Sequence, residues 1–179
     1  MSVSKARRVF VISDLHIGGL PPAMMSAPDR LAAFIESLPS RLQPDEQLEL
    51  VINGDFVDFL AIEPCEAWTS SSDRAREKLL KTVRASTFTP VFDALGRLVA
   101  AGHRLTILLG NHDLELAIPA VRDSLLDALE ATPHQVHCVF DGAAYRIGGA
   151  LIEHGNRYDV ANENDWDGLR TMASALSRG

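Results

Sequence analysis

Short apolar runs followed by polar residues recur four times along the chain, at residues 9–12, 48–52, 105–109 and 150–152. Runs of this length predict buried strands, and a residue directly after such a strand lies at its carboxyl end. Ionisable groups are costly at that position unless a partner satisfies them. The four runs therefore predict strands that deliver functional side chains to a common site.

Between these strands, apolar residues recur at helical spacing. They predict helices with Ser72 as the cap of the second and Pro119 at the start of the fourth. Residues 136–140 alternate like a strand, so His134 and His137 are interpreted as structural residues rather than a zinc pair. Glycine-containing turns then predict hairpins, and the order of elements predicts an α/β fold with antiparallel pairing toward its end. The apolar helical positions cluster at residues 31–38, 75–83, 91–99, 121–129 and 166–176.

Length and charge narrow the class of protein. The 179 residues suit a single domain over residues 1–179. Seventeen basic against 24 acidic residues give a net charge of −7, which provides no strong nucleic-acid signal. Two cysteines far apart predict reduced thiols and a cytoplasmic location. The first apolar run is too short for a signal peptide or a transmembrane segment.

The residues that follow the four runs are typical metal ligands. Carboxylate, imidazole and amide oxygen together suit a pair of divalent cations, with Asp55 as the natural bridging carboxylate. The candidates are Asp14, His16, Asp55, Asn111 and His154.

Four motifs in this order resemble the calcineurin-like metallophosphoesterase family, in its small bacterial phosphoesterase branch. They are Asp14-Leu15-His16, Gly54-Asp55-Phe56-Val57-Asp58, Gly110-Asn111-His112-Asp113 and His154-Gly155. The resemblance implies a four-layer αββα sandwich of two mixed β-sheets flanked by helices. It also implies hydrolysis of a phosphomonoester or phosphodiester by a dinuclear metal centre, with a metal-bridging hydroxide as the nucleophile.

The same resemblance assigns roles. Asp14 and His16 would hold the first metal, Asn111 and His154 the second, and Asp55 both. Two divalent ions are expected, manganese first, with iron or zinc as alternatives. The substrate would be a small phosphorylated molecule.

The resemblance extends to the catalytic residues. His112 would be the general acid, with Asp58 orienting it. Asp113 is assigned either to capping its turn or to positioning Asn111.

Two departures from the family pattern matter. Phe59 stands where protein phosphatases of this superfamily carry arginine, so Arg157 is considered as a substrate-binding replacement, with a plain surface arginine as the open alternative. No Gly-His-x-His follows His154, which leaves three protein ligands per metal and predicts that a carboxyl-terminal part of the domain is missing. Two alternatives remain: a nuclease of the same superfamily, and a non-catalytic metal-binding or scaffold module.

Overall fold

In the computed structural model, which describes residues 6–177, four parallel strands form one sheet and lie side by side in chain order. The apolar runs form its centre, and every residue from Leu48 to Ile52 is buried. Because all four strands are parallel, their carboxyl ends meet at one edge. The strands are β1 (Ala6–Ile12), β2 (Glu46–Asn53), β3 (Arg104–Leu108) and β4 (Val136–Val139).

Helices connect the parallel strands and cover one face of the sheet. Strand residues on that face, such as Leu50 and Ile107, pack against the apolar faces of the helices and form the main core. Proline in the first turn favours the start of the helices that begin at Pro28, Thr89 and Pro119, since proline has no N–H to satisfy there. The predicted cap of the second helix is wrong by one residue: Ser71 accepts the Arg74 N–H at 3.4 Å, and Ser72 is the first helical residue. The helices are α1 (Pro28–Ser37), α2 (Ser72–Arg84), α3 (Thr89–Ala100), α4 (Pro119–Ala128) and α5 (Trp166–Leu176).

The opposite face of the sheet is covered by an antiparallel hairpin of β5 (Tyr145–Ile147) and β6 (Ala150–Ile152). Tyr145 and Ile152 of this hairpin pack against Val51, Leu108 and Val139 of the parallel sheet. The predicted α/β class with two sheets and flanking helices is confirmed. The sheets are not individually mixed among the described residues, since one is parallel and the other is the predicted late hairpin.

A buried carboxylate on the hairpin side ties four strands together. Glu49 has no exposed surface and accepts hydrogen bonds from Arg7 at 2.8 Å, Thr106 at 2.7 Å and Tyr145 at 2.5 Å. Burial opposes ionisation of Glu49, but these donors and the nearby Arg104 hold its pKa below the usual value. The charge is therefore compensated inside the fold.

Smaller predictions can also be compared with the structure. Trp68 is half-buried and packs against the main core. His137 lies on strand β4 with its ring centroid 5.3 Å from that of Tyr145, which confirms the strand prediction there. Over residues 6–177, no helix combines the length and apolar character needed to cross a membrane.

Candidate metal centre

The loops that leave β1 and β2 are hydrogen-bonded to each other at the carboxyl edge of the sheet. The Asp14 N–H donates to the Gly54 carbonyl at 3.2 Å, and the His16 N–H donates to the Asp55 carbonyl at 2.8 Å. Ile17 then pairs with Val57 in an isolated parallel bridge. This pairing brings the first two sequence motifs side by side.

Backbone strain is concentrated at the same place. Asp14, His16 and Asp55 have φ angles of 55°, 44° and 52°, in the left-handed region that residues with a Cβ seldom adopt. Such conformations cost of order 1–3 kcal/mol each and persist where the surroundings enforce them, often at functional sites. The fold therefore holds three candidate ligands in conformations that they would not adopt freely.

Two glycines permit the close approach of the loops. A Cβ on Gly54 would lie 2.5 Å from Nδ1 of His154, and a Cβ on Gly110 would overlap the Asp55 carboxylate. Gly54 also has a φ of 79°, which suits glycine. Any larger residue at either position would push the candidate ligands apart.

The carboxylate of Asp55 is the centre of the cluster. Its Oδ2 lies 3.5 Å from Nε2 of His16 and 3.4 Å from Nε2 of His154. Its Oδ1 accepts the backbone N–H groups of Asn111 and His112, both at 2.9 Å. Burial opposes ionisation, but the hydrogen bonds from His154 and the His112 N–H hold the pKa of Asp55 below its usual value. Asp55 is thus an anion shared by two imidazoles.

The candidate ligand atoms around Asp55 suit a divalent cation. Nδ1 of His154 lies 2.7 Å from the Asn53 carbonyl, which can only accept, so Nδ1 carries the proton. In the neutral ring, Nε2 then presents its lone pair to the Asp55 oxygen, an arrangement that needs a cation between them. The hydrogen bond to Asp55 raises the pKa of His154 to about 9, so without metal a proton supplies that positive charge. Asp14, His16 and Asp55 also place ligand atoms within 4.8 Å of one another.

Asp58 holds the ring of His112 and lies beside the ring of His16. Its Oδ1 lies 3.0 Å from Nδ1 of His112, and its Oδ2 lies 3.3 Å from Nδ1 of His16. These three residues also form a compact group of possible metal ligands. Asp58 is buried and does not line the cavity described below, whereas both histidines do. Contact through Nδ1 leaves Nε2 of each ring facing the site, so an orienting role for Asp58 fits better than a ligand role.

Asp113 clamps the β3 loop to the β2 loop. Its Oδ1 accepts the Gly110 N–H and its Oδ2 accepts the Phe56 N–H, both at 2.7 Å. Complete burial and the charge of Asp55 raise the pKa of Asp113 to about 7, although the two N–H groups favour ionisation. Asp113 caps its own turn and also fixes the spacing between Asp55 and Asn111, a link to β2 that the sequence did not reveal.

A cavity of about 490 Å³ opens over this cluster. All five predicted ligands and His112 line it. Arg157 does not: its guanidinium is hydrogen-bonded to the Glu153 carboxylate at 2.5 Å and to the Gly142 carbonyl. Sequence reasoning missed six further lining residues. Asn53 is the last residue of β2, and the others lie in turns and loops without periodicity: Ser13, Met24, Asn156, Asp159 and Asn162.

Comparison with known families agrees with this geometry. The model of the calcineurin-like phosphoesterase family matches residues 7–176, so the chain belongs to that family. Membership implies metal-dependent hydrolysis of phosphoesters. No curated protein matches the chain.

Proposed function

We propose that this protein hydrolyses small phosphate esters at a dinuclear metal centre. The observation that carries the proposal is the single Asp55 oxygen approached by Nε2 of His16 and of His154, since a carboxylate shared in this way suits two cations. Asp14 and His16 would hold one ion and Asn111 and His154 the other. Manganese, iron and zinc all accept this mixture of ligands, and manganese is our first choice.

Two bound divalent ions would activate water and neutralise charge on the attacking and leaving oxygens. The protein's own part is positioning and proton transfer. His112 has its Nδ1 held by Asp58, which leaves Nε2 to donate a proton to the leaving oxygen. The low pKa of Asp55 keeps that carboxylate ionised for ligation. Asp113 keeps the loop that carries Asn111 and His112 at its distance from Asp55.

The test is metal content measured together with hydrolysis of 4-nitrophenyl phosphate and its bis-ester, after reconstitution with manganese. The parent protein should bind two ions per chain and turn over at least one ester. Asp55→Asn should lose metal and activity together, because the amide cannot serve two cations. Asp141→Asn is the control, since Asp141 is an exposed carboxylate outside the cavity.

One result would contradict the proposal: two bound ions with no hydrolysis of either ester. That outcome would favour the non-catalytic metal-binding module. The nuclease alternative gains nothing from the cavity, because its described lining includes no lysine or arginine that would bind a polyanion.

A further inference from the structure

We propose that the cavity selects phosphodiester monoanions over phosphomonoester dianions. The inference rests on the proposed function and names the substrate class of the same site. It is carried by the charges that line the cavity.

Every formally charged side chain lining the cavity is acidic. Asp14, Asp55 and Asp159 contribute carboxylates, and the described lining residues include no lysine or arginine. Enzymes that bind phosphate dianions usually supply such cations, most often arginine in a bidentate contact. Here the metal ions would be the only source of positive charge beyond the histidines.

Arg157 does not add positive charge to the cavity lining. It follows the cavity-lining Asn156 in sequence, but its guanidinium is held by Glu153 and by the Gly142 carbonyl. Tyr158 donates to the other oxygen of Glu153 at 2.6 Å, which fixes that carboxylate in place. Releasing Arg157 toward substrate would leave Glu153 without its charged partner.

Asp159 places a fixed negative charge at the rim. Its Oδ1 accepts the Ala161 N–H at 3.0 Å and its Oδ2 accepts the Asn162 amide at 2.7 Å. These hydrogen bonds, first that from Ala161, lower the pKa of Asp159, so the group stays ionised at neutral pH. A phosphomonoester loses its second proton at a pKa of about 6 and therefore meets this carboxylate as a dianion.

The neutral part of the lining suits a second ester group. Asn156 is 6% exposed, and its Oδ1 has no hydrogen-bond partner in the described structure. Its amide nitrogen donates to the Asn162 carbonyl at 3.1 Å, which fixes the oxygen as the unpaired atom. Asn156 therefore contributes a neutral, fixed amide to the lining, which adds no charge against a diester. Met24, also on the rim, offers apolar contact.

The first experiment compares methyl 4-nitrophenyl phosphate with 4-nitrophenyl phosphate at pH 8 and low ionic strength, on manganese-loaded protein. The two probes share a leaving group and differ by one methyl group and one negative charge. We expect kcat/KM to favour the diester by on the order of tenfold. A higher kcat/KM for the monoester would overturn the inference.

The second experiment removes the rim charge. Asp159→Asn should raise kcat/KM for the monoester about threefold relative to the diester, and the effect should fade in high salt. Asp141→Asn is a matched control, because Asp141 accepts the Ala143 N–H in the same type of turn but lies outside the cavity. Equal changes for both esters in Asp159→Asn would contradict a charge effect.

Binding gives a readout that does not depend on turnover. Asp159→Asn should tighten calorimetrically measured binding of inorganic phosphate more than that of dimethyl phosphate. If Asp159→Asn tightens both equally, the rim charge does not discriminate between the two anions and the inference fails while the proposed function stands. If two ions bind and neither nitrophenyl ester is hydrolysed, the proposed function fails and the inference falls with it.

Discussion

At the scale of single residues, the contact between Asp58 and His112 fixes the orientation of a histidine that lines the cavity. Asp58 holds Nδ1 of His112 at 3.0 Å, and the side chain of His112 is 25% exposed toward the cavity. A histidine oriented in this way can present the same nitrogen to every leaving group. The ring of His112 also stands edge-on to that of His16, with centroids 4.6 Å apart.

His112→Ala should lower kcat by about 10²–10⁴-fold, the usual range for loss of a general acid. Metal content should stay unchanged, because His112 binds no ion in our assignment. Atomic emission analysis and steady-state kinetics on one preparation would measure both quantities. His134→Ala, which removes an exposed histidine, is the control. Loss of metal from His112→Ala would show that this ring is a ligand.

At the scale of strands, Glu49 joins β1, β2, β3 and β5 through one buried carboxylate. The hairpin that leads to His154 is attached to the parallel sheet partly by the Tyr145 hydroxyl in this network. The position of a candidate ligand therefore depends on a buried ionic group on the hairpin face of the sheet.

Glu49→Gln should lower the free energy of unfolding by about 2–4 kcal/mol, since the buried donors lose their charged acceptor. The folded-state pKa of Glu49 lies below 4.5, so its stabilisation is present above that pH and is lost as the pH falls through the folded-state pKa. The difference between parent and variant should shrink accordingly in acid. Urea titrations of the metal-free proteins at pH 7 and pH 3.5 would measure it.

Glu46→Gln is the matched control on the same strand. Glu46 pairs with Arg8, whose side chain is 40% exposed, so its loss should cost no more than about 1 kcal/mol. Equal losses in the two variants would show that Glu49 is an ordinary surface charge in energetic terms.

At the scale of the whole molecule, the candidate ligands join the two sheets. Asp14, Asp55 and Asn111 follow strands of the parallel sheet, and His154 follows the hairpin. Ion binding should therefore raise the unfolding temperature of the whole chain, with a gain of about 2.7 kcal/mol at a hundredfold excess over Kd.

His154→Ala should lose much of this gain, because it removes the ligand that the hairpin supplies. Scanning calorimetry with and without manganese, on parent and His154→Ala proteins, would measure the difference, with His134→Ala as the control. An unchanged shift in His154→Ala would mean that the metal site lies within the parallel sheet alone.

The sequence predicted the strands and the candidate metal ligands better than the residues at the rim of the cavity. Apolar runs followed by Asp, His or Asn placed the candidate ligands at strand ends, and the structure gathers them around Asp55. Regular periodicity made that possible. The contacts of Arg157 with Glu153 and Gly142 depend on tertiary packing, so the sequence left its orientation open. Asp159 lies in an irregular turn that carries no periodic signal.

The rim of the cavity and its metal-binding floor come from different parts of the chain. Residues 155–162 contribute Asn156, Asp159 and Asn162, whereas most of the floor follows β1, β2 and β3. We expect exchanges within this segment to change the preference between esters more than they change metal binding, because none of our assigned ligands lies in it. On our proposal, new substrate preferences would then arise through substitutions confined to residues 155–162, while the reaction itself is inherited unchanged.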